Sequence, residues 1–489
     1  MTSPLLVLAV VIPVTGAVVI ALLPSGDDTR RNCVAVLTTA VTAVLVVFLV
    51  QGALAGSQYS SPVLYITPLL PLVLRLDSLG ALFALTASCL WVFATVYSTG
   101  YMAHEHDRRR YFTFFLLSLG ATMGVAGAGN MLTLYLFYEM LTLATYPLVI
   151  HEGGEEAQRA GRKYMCFSLF GAGSVLGGLI ISSAVFGDLE FAGSARVLDA
   201  AQAGLLTFAF LALFYGFGVK AAVMPLHPWL PSAMVAPTPV SALLHAVAVV
   251  KSGIFGIYRT TFSFYGAEVV SDLHVNAFML FSAGVTILMG SVFALRQDNL
   301  KRRLAYSTVS QLGYIVLGAA ILNRTGVTGG LLHLLNHALL KITLFFSAGA
   351  IITVTGKKNI SEMSGLARRM PMTMTAFGLA SLGMVGALPT NGFLSKWYLI
   401  EGGLLRDAFW IPLLLVTSAV LNAAYFFPIV TRAFFFKGDF GRFAGHEAPP
   451  SMLYPILILC GLFMLLGLWP RPTLAVADVV ASALFGGVR

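Results

Sequence analysis

Apolar stretches of about twenty residues recur along almost the whole chain, and short segments between them hold most of the charge. A helix rises about 1.5 Å per residue, so about twenty apolar residues cross a hydrocarbon layer roughly 30 Å thick. The pattern predicts spans over residues 4–23, 33–52, 78–99, 112–129, 130–150, 164–186, 204–223, 239–258, 275–295, 305–322, 330–353, 373–405, 410–434 and 452–470. That is about fourteen helices. The segment 472–488, short and rich in small residues, fits either an interfacial stretch or a fifteenth partial span.

Composition sharpens this reading. Of 489 residues, 58% are hydrophobic and 10% charged, which excludes the polar surface of soluble domains and leaves one membrane domain over 1–489. The first stretch, Pro4 to Leu23, lacks a basic leader and is longer than the apolar core of a signal peptide, so it reads as a retained helix. Cys33, Cys89, Cys166 and Cys460 lie far apart with no CxxC pair, so no metal site or iron–sulfur cluster is expected.

The net charge of +9 sits in short loops, where it orients helices and leaves no surface for nucleic acid. By the fourteen-helix count, odd-numbered loops hold Arg30, Arg31, Arg108 to Arg110, Arg159, Arg162, Lys163, Arg296, Lys301 to Arg303, Lys357, Lys358, Arg368, Arg369, Arg432, Lys437 and Arg442. Even-numbered loops hold the isolated Arg75, Arg196, Arg259, Arg324 and Arg406. About nineteen basic residues against about five puts the odd loops in the cytoplasm and both termini outside, in a cell (inner) membrane.

Four lysines remain inside apolar runs: Lys220, Lys251, Lys341 and Lys396. Each costs about 2.5–3.5 kcal/mol at a helix centre, so their presence points to function, with snorkelling from a helix end as the alternative. Glu139 is the one acidic residue deep in a span and needs a cation, for which Lys220 is the candidate. A carboxylate that approaches and leaves a buried lysine makes a proton switch; a fixed ion pair between two helices is the other reading. His245 precedes Lys251 by six residues, and His333, His337 and Lys341 recur every four, on one helical stripe. Imidazoles exchange protons near neutral pH, so these residues form a candidate relay. His227 in MPLHPWLP fits a proton entrance or a helix cap equally.

Two proline-interrupted segments, KAAVMPLHPWLPSAMVAPTP from Lys220 and GALPTNGFLSKW from Gly386, carry Pro225 and Pro389 beside a buried lysine. Such breaks persist in a membrane only where protein or a water-filled cavity satisfies the freed backbone groups. They fall on the seventh and twelfth helices, five apart, which predicts two inverted five-helix units over 112–258 and 275–434.

The segments FYEMLTLATYPLVIH, GVKAAVMPLHPWLPSAMVAPTPVSALLHAVAVVKSGIFGIYR, LKRRLAYSTVSQLGYIVLG, HLLNHALLKITLFFSAGAI and LPTNGFLSKWYLI resemble the antiporter-like subunits shared by Mrp-type sodium/proton antiporters, membrane-bound hydrogenases and respiratory complex I. The similarity runs from about Asp77 to Phe434, and the chain looks most like the D-type component of the Mrp antiporters. Lys396 supports that reading, because one complex I subunit of this type has glutamate there. PTNGF departs from the proline-rich lead-in usual in the family. The resemblance implies an all-α fold of fourteen helices with two inverted repeats and two broken helices. It makes Glu139 and Lys220 the coupled pair, His245 and Lys251 the central link, His333, His337 and Lys341 the second relay, and Lys396 the terminal lysine. It also implies other membrane subunits as partners, protons as cargo and no cofactor.

Three functions compete. One is a subunit of a sodium/proton antiporter, and a second is the proton-pumping subunit of a redox-driven complex. The third is a scaffold whose charges only lock helices. No phosphate loop, metal cluster or activated nucleophile points to an enzyme, and the few oxygen ligands near Glu139, such as Thr142 and Thr145, form no sodium site.

Overall fold

A computed structural model describes residues 4–24, 26–54, 57, 59–67, 70–191, 199–438 and 447–486. Arg196 and Arg442 lie outside the described residues, as do residues 487–489. Among the described residues, nineteen α-helices follow in chain order. The first half comprises α1 (Pro4–Leu22), α2 (Asp28–Leu54), α3 (Ser78–Tyr101), α4 (Arg108–Ala126), α5 (Met131–Val149), α6 (Gly154–Phe186), α7 (Ala203–Lys220), α8 (Trp229–Ser232), α9 (Thr238–Ala246) and α10 (Val249–Tyr258). The second comprises α11 (Ala267–Asp272), α12 (Val275–Leu295), α13 (Leu300–Ala320), α14 (Arg324–Thr355), α15 (Pro371–Val385), α16 (Gly392–Leu404), α17 (Trp410–Phe435), α18 (Pro450–Leu468) and α19 (Arg471–Leu484).

Among the described residues, 11 helices are long and apolar enough to cross a membrane. One of them, Thr238–Tyr265, comprises α9, α10 and a π-helical turn at Arg259–Tyr265. The helices α4 and α13 have spanning length but open on three basic residues, and α15 with α16 makes a further span broken in its middle. Together these give about fourteen crossings, close to the periodicity count.

Several boundaries differ for physical reasons. The predicted span 373–405 is two helices, because the chain turns through Gly386, in the left-handed region at φ 95°, and Pro389. Arg159, Arg162 and Lys163, expected in a loop, lie on α6, whose first turns extend the span and carry an Arg159–Glu155 pair at 2.5 Å. The segment beyond 471 forms α19, packed against α14 and α3. Arg259, expected in a loop, is 1% exposed within the π-helical turn.

Interloop contacts sort the two faces. On one face Arg108 pairs with Asp28, Arg302 with Glu156 at 3.5 Å, and Ser361 donates to Asp298 at 2.7 Å. On the other, Arg259 pairs with Asp77 at 2.5 Å, Arg324 with Asp478 at 2.6 Å and Arg75 with Glu190 at 3.9 Å. Odd loops thus meet odd loops and even loops meet even loops, as the crossing count requires.

The outer helices show lipid-compatible faces, with Leu37, Phe48, Phe208, Phe281, Leu413 and Val420 exposed. The centre is formed by the wholly buried stretch of α9 and α10 against α14, with α13 and α16 alongside. A membrane protein places costly ionisable groups on such interior elements, where partners replace water.

Candidate functional site

All eight candidate ionisable residues face the protein interior. Lys220, Lys251, Lys341, His245, His333 and His337 are each no more than 3% exposed, Lys396 is 7% exposed, and the Glu139 side chain is 22% exposed. Snorkelling from a helix end is inconsistent with that burial.

Lys220 is the last residue of α7, where the helix stops and backbone carbonyls lose their partners. The chain then passes through Ala222, at φ 53°, and Pro225 before re-forming a helix at α8 and α9. Trp229 Nε1 donates to the freed Val219 carbonyl at 2.7 Å, and the Met224 N–H donates to Thr286 Oγ1 at 3.0 Å, so protein groups satisfy the break. Lys220 Nζ donates to the Tyr138 carbonyl and lies 3.2 Å from the centroid of the Tyr138 ring. Its distance to Glu139 Oε1 is 3.8 Å, and that oxygen has no hydrogen-bond partner among the described residues. The carboxylate is therefore in Coulombic contact without a bond fixing it, so a small side-chain movement changes their interaction steeply.

A second interruption separates α9 from α10 at Val247 and Ala248, with His245 in the last turn before it and Lys251 in the first turn after. No proline or glycine marks it, and the sequence reading missed it. Lys251 Nζ lies 2.9 Å from His337 Nδ1 on α14. His337 is within electrostatic reach of Lys251, Lys341, His333 and His245. Neither ring nitrogen of His245 has a hydrogen-bond partner, nor does His337 Nε2. Backbone proximity makes this centre compact: a Cβ on Gly253 would fall 2.4 Å from Ala221 N and 2.7 Å from the Phe217 carbonyl oxygen, so glycine lets α10 lie directly on the end of α7.

On α14 the predicted stripe holds, but each member meets a different neighbour. His333 Nδ1 is 3.0 Å from Ser395 Oγ and its Nε2 is 3.0 Å from Gln311 Oε1, with the ring stacked on Tyr314. The His333 and His337 centroids are 6.2 Å apart. Lys341 Nζ donates to Ser307 Oγ and, at 3.1 Å, to the Leu304 carbonyl. Lys396 sits one turn into α16 and reaches back to the carbonyls freed at the end of α15, Met384 O at 2.7 Å and Val385 O at 2.6 Å. The left-handed Gly386 leaves room for it, since a Cβ there would lie 3.0 Å from Lys396 Cδ.

Sequence reasoning missed Gln311, Ser395, Ser307 and the amide pair Asn336–Asn391. Asn391 Nδ2 donates to Asn336 Oδ1 at 2.9 Å, and Asn336 Nδ2 donates to the Asn391 carbonyl at 2.6 Å. Asn391 belongs to the unusual PTNGF lead-in, so that departure supplies a side-chain clamp from the second break to the helix of the histidines. The available clue was Asn336 itself, a polar residue next to His337 in an otherwise apolar helix. His227 is half-buried between Phe293 and Tyr306, and its side chain does not cap α8.

The arrangement is thus a set of buried amines and imidazoles, some of them held by hydroxyls and an amide, lying beside the interrupted helices. Residues 128–422, which contain all eight candidates, match the family model described as NADH:quinone oxidoreductase/Mrp antiporter, TM. The chain belongs to that family. Residues 69–112 also match the model of the N-terminus of NADH-ubiquinone oxidoreductase (complex I) chain 5. Family relatives include NADH-quinone oxidoreductase subunit N of Desulforudis audaxviator, 35% identical with 99% of each chain covered. Na(+)/H(+) antiporter subunit A1 of Staphylococcus haemolyticus is 31% identical over 84% of this chain, which spans 54% of that relative. In fold, a chain of the Mrp complex from Dietzia sp. superposes with a TM-score of 0.87 at 21% identity, covering 99% of this chain and 97% of that one.

Proposed function

We propose that this chain translocates protons as one subunit of a multisubunit membrane assembly, along the row Glu139, Lys220, His245, Lys251, His337, His333 and Lys396, with Lys341 as a side branch. The observation that carries this reading is the direct Lys251–His337 contact at the centre of the row. An ammonium donates to an unprotonated Nδ1, whereas a protonated Nδ1 donates to a neutral amine; with both groups cationic, two donors would face each other. The contact therefore admits at most one excess proton. When that proton moves to His337 Nδ1, the ring also carries a proton on Nε2, and release from Nε2 advances the charge across the imidazole.

Glu139 sets the occupancy of Lys220. Approach of the carboxylate favours the ammonium, and withdrawal favours release of the proton toward α10. The loose 3.8 Å pair, with Glu139 Oε1 otherwise unbonded, supports a gate over a fixed lock. The two five-helix units, 112–258 and 275–434, fit this reading because each carries a proline break beside a buried lysine, Lys220 in the first and Lys396 in the second.

The driving force separates two finer readings. The Staphylococcus antiporter relative favours a monovalent cation (Na+)/proton antiporter of the Mrp type. The subunit N relative, matched over nearly its whole length, favours a redox-driven pump. We take the Mrp type as the working reading, in a cell membrane with the odd loops cytoplasmic. Purified assembly in sealed vesicles tests it: added sodium should drive proton movement, whereas movement that ignores sodium and follows an electron donor would establish the redox-driven class.

A further inference from the structure

Protons reaching a buried row need a path from solvent. The face formed by the odd loops carries a cavity of about 640 Å³, partly open to solvent, whose walls come from the loops after α3 and α5 and from the starts of α9 and α13. Glu105, Glu152 and Glu156 line it together with Lys301, Arg302 and Lys358. Arg302 occupies Glu156 at 3.5 Å, while Glu105 and Glu152 form no ion pair among the described residues.

A histidine clasp holds those two carboxylates in place. His106, which follows Glu105, and His151, which precedes Glu152, stack at 4.9 Å between ring centroids. Each ring donates from Nε2 to the other's backbone carbonyl, at 2.9 and 3.1 Å. Burial, together with the charge of Glu105, raises the affinity of the Glu152 carboxyl for a proton above that of an ordinary carboxylate, against the opposing charges of Lys301, His106 and Lys358.

Lys301 and Thr238 line the cavity's inner side. Lys301 Nζ donates to the Ala236 carbonyl at 2.7 Å, in the backbone leading into α9, and Ser241 donates to the same oxygen at 3.2 Å. From Thr238 the helix α9 runs seven residues, about 10 Å, to His245. His245, whose ring nitrogens are unbonded, feels the charges of Lys341 and Lys301.

We infer that this cavity is the proton port on the odd-loop face, in which Glu152 collects protons from solvent and Lys301 passes them to His245 at the central link. The inference rests on the proton-translocating reading. In each transfer the proton leaves solvent water for the Glu152 carboxylate and crosses cavity water to the neutral amine of Lys301. It then moves along α9, past the Thr238 and Ser241 hydroxyls, to a free imidazole nitrogen of His245, and the amine returns to neutral.

The test uses the whole assembly in sealed vesicles with the odd-loop face outward and the four native cysteines replaced. A Ser232→Cys change places a thiol in the cavity wall, and Glu155→Cys places one on the exposed surface beside it. Both are treated with a charged, membrane-impermeant thiosulfonate, and labelling is measured by mass spectrometry. Labelled Ser232→Cys should lose proton uptake by about tenfold, and Glu152→Gln should slow uptake by a similar factor, the low end of what a focusing charge contributes. Labelled Glu155→Cys should transport at the rate of the parent. Failure of Ser232→Cys to label, or full labelling with uptake unchanged, overturns the port. Absence of proton movement in the native assembly would instead overturn the translocation reading on which it rests.

Discussion

At Lys220 an amine has lost bulk water and holds one carbonyl, one aromatic face and a carboxylate 3.8 Å away. A buried charge with so loose a partner serves poorly as a lock, since a static pair gains strength from direct hydrogen bonds. Replacing Lys220, Glu139 or Lys396 by alanine is therefore expected to lower coupled transport by more than about tenfold with subunit content retained. Arg75→Ala, which removes a half-exposed pair on the even-loop face, should change it little. On the proposed proton exchange between Lys251 and His337, Lys251→Met with His337→Leu should transport no worse than the poorer single variant, as expected when two groups act as a unit. Additive losses would show that the two groups act separately. The identities of these lysines and histidines were legible in the sequence, since an ionisable residue in an apolar run stands out. The Glu139–Lys220 pair was legible too, but the other partners were not, because Gln311, Ser395 and Ser307 are ordinary polar residues on other helices, and Asp77 with Arg259 looked like two loop charges.

Among the elements, the breaks decide the geometry. Proline marked those after Lys220 and before Lys396, so their positions were readable. The interruption at Val247 and Ala248 was not, because β-branched and small apolar residues carry no local signature of a helix end. It depends on α10 packing on α7 at Gly253. Gly253→Val should displace α10 and cut transport by about tenfold or more, an effect of overpacking that small-residue changes away from helix contacts, such as Gly173→Ala, should not produce. The π-helical turn after α10 is tied to α3 by Arg259, which meets Asp77 through two hydrogen bonds, at 2.5 and 2.7 Å. Asp77→Asn should cost about 1.5–3 kcal/mol of stability, read as a lower melting temperature in detergent, because it weakens the pairing of a buried guanidinium.

For the whole molecule, the count of crossings and the sorting of loops onto two faces followed from hydropathy and charge alone, since bilayer thickness constrains every span alike. The extension of α6 into the odd-loop face and the helix after residue 471 did not, because charged and small residues at a span's end fit helix and loop equally. The odd-loop face also carries an acid sensitivity. Burial, with the charges of His106 and Arg110, lowers the His151 pKa from 6.5 to about 4. The unfolded chain thus binds a proton that the folded one refuses as pH falls from about 6.5 toward 4, and stability should drop across that window. Thermal melts of the assembly at stepped pH should show the drop, and His151→Gln should flatten it.

Proton flux through sealed vesicles containing the assembled complex, native against Lys220→Ala at matched subunit content, decides whether protons cross along the buried lysines. Flux in the native complex and its loss in the variant are expected; equal flux in both would rule out a path through the lysines.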